Sequence, residues 1–160
     1  MEKEIGEMGT GYDLVRFGAE DLPGTGSTLQ LINAKNLKPA VFVSVPDVER
    51  ARGLIKRTHF IHMPIWQPDV GLARLFKEHS AVMVIGVSDL LALPPAEMAK
   101  RLARTAHMAK MVLHFGGKVR LASMARNENE RRNSLELMCL GERLGIDARI
   151  VDEGLRTPIE

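Results

Sequence analysis

The chain has 160 residues, 45% apolar and 26% charged, which is ordinary for a globular protein and enough for one domain with a real core. A single cysteine, Cys139, excludes a disulfide framework and points to a reducing compartment, the cytoplasm. No apolar run reaches membrane-helix length, and the opening MEKEIGEM is acidic without an apolar stretch, so neither a membrane span nor a signal peptide is expected.

The net charge of +2 says less than its distribution. Residues 100–149 hold 11 Lys/Arg against 5 Asp/Glu, whereas the remainder holds 11 against 15. That asymmetry fits an anionic partner on one side of the fold, and it fits an ordinary solvated helix face equally well.

In chain order, residues 1–10 are expected to be frayed or weakly helical. GYDLVRFG, residues 11–18, is the first strand candidate, and a helix runs from Thr28 to about Leu37 with Ser27 and Gln30 as a capping box. Gly24 and Gly26 between them could expose backbone N–H groups to a phosphate, but no P-loop lysine follows and dinucleotide spacing is absent, so a plain turn is the stronger reading. AVFVSV is the cleanest strand, and Asp47 caps the helix after it, with Val48, Ala51 and Ile55 inward. HFIHMPIW is the third strand. His59 and His62 are three apart there and face opposite ways, which makes them poor joint metal ligands. Pro68–Asp69 opens a helix through Val70, Ala73 and Phe76, and AVMVIGV is the fourth strand, ending at Ser88 and Asp89.

Pro94–Pro95 start a long helix that Gly116–Gly117 end. Met98, Leu102, Thr105, Ala106, Ala109, Val112 and Leu113 form its apolar face, and Lys100, Arg104, His107 and His114 line the other side as a secondary basic stripe. The stripe reads as solubility or, with the basic segment after it, as phosphate contact. Lys118–Ser123 is the next strand, followed by a charged loop from Arg126 and a helix opened by Asn133 and Glu136 in a capping box and closed by Gly145. Cys139 is expected to be a small buried hydrophobe of that helix. A last strand is expected near Ala148–Asp152. Alternating strands and helices predict one α/β domain over residues 1–160, with about six mainly parallel strands and helices outside.

The strand ends carry Asp47, His62, Ser88, Asp89, Ser123, Arg126, Asp152 and Glu153, so acid and base types are available. No HxH, HExxH, GxSxG or Cys–His grouping is present, and no catalytic residue, metal site or cofactor is assigned.

A Ser ending a strand, a charged loop with paired Arg131–Arg132, and then ELMCLGERLGI resembles the C-terminal part of ribonuclease P protein component 3, the archaeal and eukaryotic thirty-kilodalton subunit family. The upstream order AVFVSVPDVERARGLIKR, FIHMPIW, VMVIGVSDLL fits the same series, over nearly the whole chain. The family usually has Arg-x-Pro-Arg-Asp entering the last helix; here Arg132 to Glu136 reads RNSLE, so Ser134 and Leu135 stand in place of the Pro and the second Arg. The resemblance implies a TIM-barrel-like fold, shortened here by its first two strand–helix units. It implies a non-catalytic scaffold in tRNA 5′ maturation, with the cleavage done by RNA. The partners it implies are the ribonuclease P RNA, precursor tRNA and another small protein subunit. Lys118, Arg120, Arg126, Arg131 and Arg132 would be the phosphate contacts. An incomplete barrel leaves strand edges open, so a homo-oligomer is also expected. The competing readings are a shortened, dimeric interaction module that does not bind RNA and, on strand-end acids alone, a metal-dependent phosphoesterase.

Overall fold

The computed structural model describes residues 42–156. The strand expected at 11–18, Gly24 and Gly26, and the helix from Thr28 lie outside the described residues. The elements are β1 (Phe42–Ser44), α1 (Val48–Leu54), β2 (Phe60–His62), α2 (Val70–Glu78), β3 (Val82–Gly86), α3 (Val87–Leu91), α4 (Pro95–His114), β4 (Lys118–Ala122), α5 (Ser134–Arg143) and α6 (Ala148–Arg156). Ser88 and Asp89, expected at a strand end, belong to α3, which the apolar run hid.

Among the described residues the sheet has four strands, all parallel, in the order β1-β2-β3-β4. A spatial order that follows chain order keeps every crossover running the same way. With one hand of crossover, the helices then gather on one face, as in a segment of a barrel. The sheet is not closed among the described residues, and of the five strands expected over this region four are present. Pleating divides the sheet: Val43, Ile61, Met83, Ile85, Val119 and Leu121 point to the helices and share one core with Ala51, Leu72, Phe76, Met108, Val112 and Leu137. The opposite, inner face carries a second small cluster of Val84, Ala122 and Met124 with Phe60 packed on it.

The helix starts follow their capping residues. Asp47 accepts from Arg50 N at 2.8 Å and Asp69 from Leu72 N at 2.6 Å. Asn133 accepts from Glu136 N at 2.8 Å while Glu136 Oε2 accepts from Asn133 N at 2.9 Å, the full reciprocal box. Arg52 spans from α1 to the cap of α2, donating to both oxygens of Asp69 at 2.9 and 2.8 Å.

The expected strand at Ala148–Asp152 is instead the helix α6. Asp147 Oδ1 accepts from Arg149 N at 2.8 Å and the Asp147 carbonyl from Ile150 N at 2.9 Å, a turn that begins a helix. Val151 and Leu155, four apart, are buried together while Glu153 between them is exposed; in a strand Glu153 would share their face. Close packing of α6 on α5 depends on Gly141, where a methyl would stand 2.5 Å from Val151 Cγ2.

Candidate nucleic-acid interface

The five cations expected to hold RNA do not form one patch. Lys118 begins β4 and is exposed, while Arg126, Arg131 and Arg132 follow the other end of the same strand. About 15 Å of strand therefore separates Lys118 from the loop, at about 3.3 Å per residue. Arg120 lies between them on the inner face and is 2% exposed, with its guanidinium carbon 6.0 Å from the centroid of the Phe60 ring. Its place follows from the pleat: β4 alternates, Val119 and Leu121 go to the helices, and Arg120 goes inside with Ala122.

The loop itself is tightly organised. Met124 is buried with φ at 47°, in the left-handed region that L side chains rarely occupy, and turns the chain off the end of β4. A 3-10 turn spans Glu128–Glu130, where Glu130 Oε2 accepts from Arg126 N at 2.9 Å and lies 3.5 Å from Arg126 Nε. Arg132 Nη1 lies 3.9 Å from Glu136 Oε1. Arg126 and Arg132 thus face a carboxylate before any RNA arrives, which lowers the field the loop can project. Arg126 stays 49% exposed at its side chain and Arg132 34%. Leu135, at the position where the family the loop resembles has its second Arg, is 65% exposed in the first turn of α5.

On α4 the apolar face is as expected, with Thr105, Met108, Ala109 and Val112 buried. Lys100, Arg104, His107 and His114 are all exposed on the opposite side.

The strand-end acids and bases that suggested hydrolysis meet in a way their spacing did not reveal. His62, fully buried, has Ser44 Oγ 2.8 Å from Nδ1 and Asp89 Oδ2 2.8 Å from Nε2. A carboxylate only accepts, so Nε2–H donates to Asp89 and, in the neutral ring, Nδ1 accepts the Ser44 hydroxyl proton. Gly86 lets them close: a methyl there would stand 2.5 Å from Asp89 Oδ2 and 2.8 Å from His62 Nε2. Ser88 ties the same corner to β4, its N and Oγ both donating to the Ser123 carbonyl at 2.9 and 2.7 Å. The chain Ser44–His62–Asp89 links β1, β2 and α3 through a buried histidine bonded on both sides to half-buried polar groups, which is a fold-holding arrangement. Ser44 was the member the sequence did not single out; its alternation with Val43 and Val45 in AVFVSV was the available signal. His59 is exposed, on the opposite side from His62 as expected.

No helix among the described residues is long and apolar enough to cross a membrane. No family model matches the chain, and no curated protein does either. Among solved structures, the fold is similar to a chain in the cryo-EM structure of archaeal ribonuclease P with mature tRNA, with a TM-score of 0.65 and 18% sequence identity. The match covers 72% of this chain and 54% of that one, so this chain spans about half the length of its structural neighbour.

Proposed function

We propose that this protein is an RNA-binding subunit of a ribonuclease P-type assembly, of the component 3 kind, supporting tRNA 5′ maturation without itself cleaving RNA. The observation that carries the reading is the shared fold with a chain of archaeal ribonuclease P, at a TM-score of 0.65. It agrees with the resemblance carried by the strand, Arg131–Arg132 loop and α5. Arg126, Arg131 and Arg132 leave the end of β4, where folds of this winding place their functional loops. The N-terminal end of α5 adds partial positive charge beside them. Such contacts position a phosphate backbone and carry no base specificity. The partners under this reading are the ribonuclease P RNA, precursor tRNA and another small protein subunit, and the open sheet favours a second copy or subunit beside it.

The test is binding of a refolded ribonuclease P RNA transcript across a potassium chloride series. The expected result is binding that weakens with salt. An Arg131→Ala/Arg132→Ala variant should bind less tightly with a log–log slope flatter by up to about 2, at about 0.9 for each phosphate left unneutralised. Absence of binding by the unmodified protein at low salt would remove the RNA reading and leave the interaction module, which the paired carboxylates Glu130 and Glu136 and the exposed Leu135 favour.

A further inference from the structure

The long helix α4 contains one carboxylate, Glu97, and Arg101 Nε donates to it at 3.1 Å in the first turns. From Lys100 onward its exposed side runs through Arg104 and His107 to His114 with no acid, a stripe about 20 Å long at about 1.5 Å per residue. At its lower end α2 adds two more cations. Gly116, with φ at 81°, turns the chain off α4, and the Lys77 side chain lies across it, with Cδ and Cε 3.7 Å and Nζ 3.9 Å from where a Cβ would be. The Arg74 guanidinium carbon sits 5.1 Å from the centroid of the Phe115 ring, and the His114 ring meets the same phenyl edge-on at 5.3 Å. A guanidinium held over an aromatic ring is restrained there and keeps a fork of N–H donors, which suits a phosphate better than a mobile lysine does. Lys118, exposed, follows immediately.

We infer that this corner, Arg74 and Lys77 from α2 with His114 and Lys118 around the Phe115–Gly116 turn, is a second phosphate-backbone contact for structured RNA, at the end of the sheet opposite the 126–132 loop. It rests on the RNA-binding reading above and adds a surface to it. Arg74 and Lys77 from α2 meet the Phe115–Gly116 turn, Lys118 begins the strand just after it, and Lys100 and Arg104 carry charge on along α4. Such a charge track matches a polyanion that follows the helix better than a single anion. The nearby acids are Glu78, beside Lys77 in the chain, and Glu153, which lines a cavity with Lys118; they moderate the field without cancelling it.

The test uses the same RNA transcript and salt series with Lys77→Gln/Lys118→Gln, which keeps a long polar side chain without charge at two exposed positions, and separately Arg74→Lys, which keeps the charge and removes the guanidinium over Phe115. The double variant should lose several-fold in affinity at low salt and flatten the slope by about 2, with an unchanged thermal melt. Arg74→Lys should weaken binding while leaving the slope in place. An unmodified protein that binds, beside a double variant with equal affinity and equal slope, would overturn this corner and spare the loop. No binding by the unmodified protein would overturn the RNA reading and the corner with it.

Discussion

Two residues, one at the end of β3 and one at the start of α5, carry most of the local argument. Gly86 has no side chain because His62 and Asp89 occupy the space a Cβ would need, with Met124 Cγ a further neighbour at 3.0 Å. Gly86→Ala should therefore separate His62 from Asp89 and cost about 1–3 kcal/mol of stability, the usual range for overpacking a filled site. Urea unfolding measures it, and a loss below about 0.5 kcal/mol would show that the cluster does not hold this corner. Leu135 poses the opposite case, an exposed apolar side chain in a basic loop. Leu135→Arg should steepen the salt dependence of RNA binding by about 1 and raise affinity at low salt. A cation in the first turn opposes the helix dipole, so the same change should lower stability by about 0.3–1 kcal/mol. An unchanged slope would take the start of α5 out of the RNA site. Cys139 was expected inside and is exposed. Leu137 is the buried position of that turn, and a residue two further on lies about 200° around the helix.

At the scale of elements, α1 and α2 are joined by one ion pair. Burial opposes ionisation of Asp69, but the Leu72 amide and the Arg52 guanidinium more than offset it, so its carboxyl titrates below the ordinary value. The hydrogen bond and charge of Asp69 in turn raise the Arg52 guanidinium. A carboxyl whose folded value is depressed contributes stability that is fully present above its unfolded pKa, about 4. That contribution is lost as the pH falls through the folded value. Asn caps a helix about as well as Asp, so Asp69→Asn removes the charge and keeps the cap. The variant should be less stable at pH 7 by up to about 1 kcal/mol, the scale of a partly exposed pair. The gap should narrow below about pH 4. Denaturant unfolding at several pH values checks it, and a gap that widens in acid would contradict the assignment.

For the whole molecule the question is what stands beside the sheet. Its four strands wind as a barrel segment does, yet the neighbour that shares this fold is about twice as long as the part matched. Exposed large apolar side chains among the described residues are Ile65, Val70, Leu91 and Leu135, scattered singly, so the case for a partner rests on the open sheet and not on a greasy patch. Under the proposed function the isolated protein should be a dimer at micromolar concentration, and addition of the second ribonuclease P subunit should replace or extend it. Light scattering decides this; a stable monomer alone and a monomer in the mixture would both count against assembly through this sheet.

Local chemistry alone determined the α/β alternation, the caps at Asp47, Asp69 and Asn133, and the stops at Gly116 and Gly145. Each depends on side chains within four residues of the backbone groups they satisfy. The apolar and basic faces of α4 were legible for the same reason, since helical period is a property of the segment. Only the tertiary structure decided that Ala148–Arg156 is a helix, that Arg120 is interior, and that Lys118 stands apart from the arginine loop. Those outcomes depend on what packs across from a residue, and β-branched Ile150 and Val151 or one Arg in an apolar strand carry no record of it. The Ser44–His62–Asp89 chain and the Arg74–Phe115 contact join residues far apart in the chain, so no local spacing could announce either one. They exist because the strands run parallel in chain order, which brings successive strand ends and successive helices side by side.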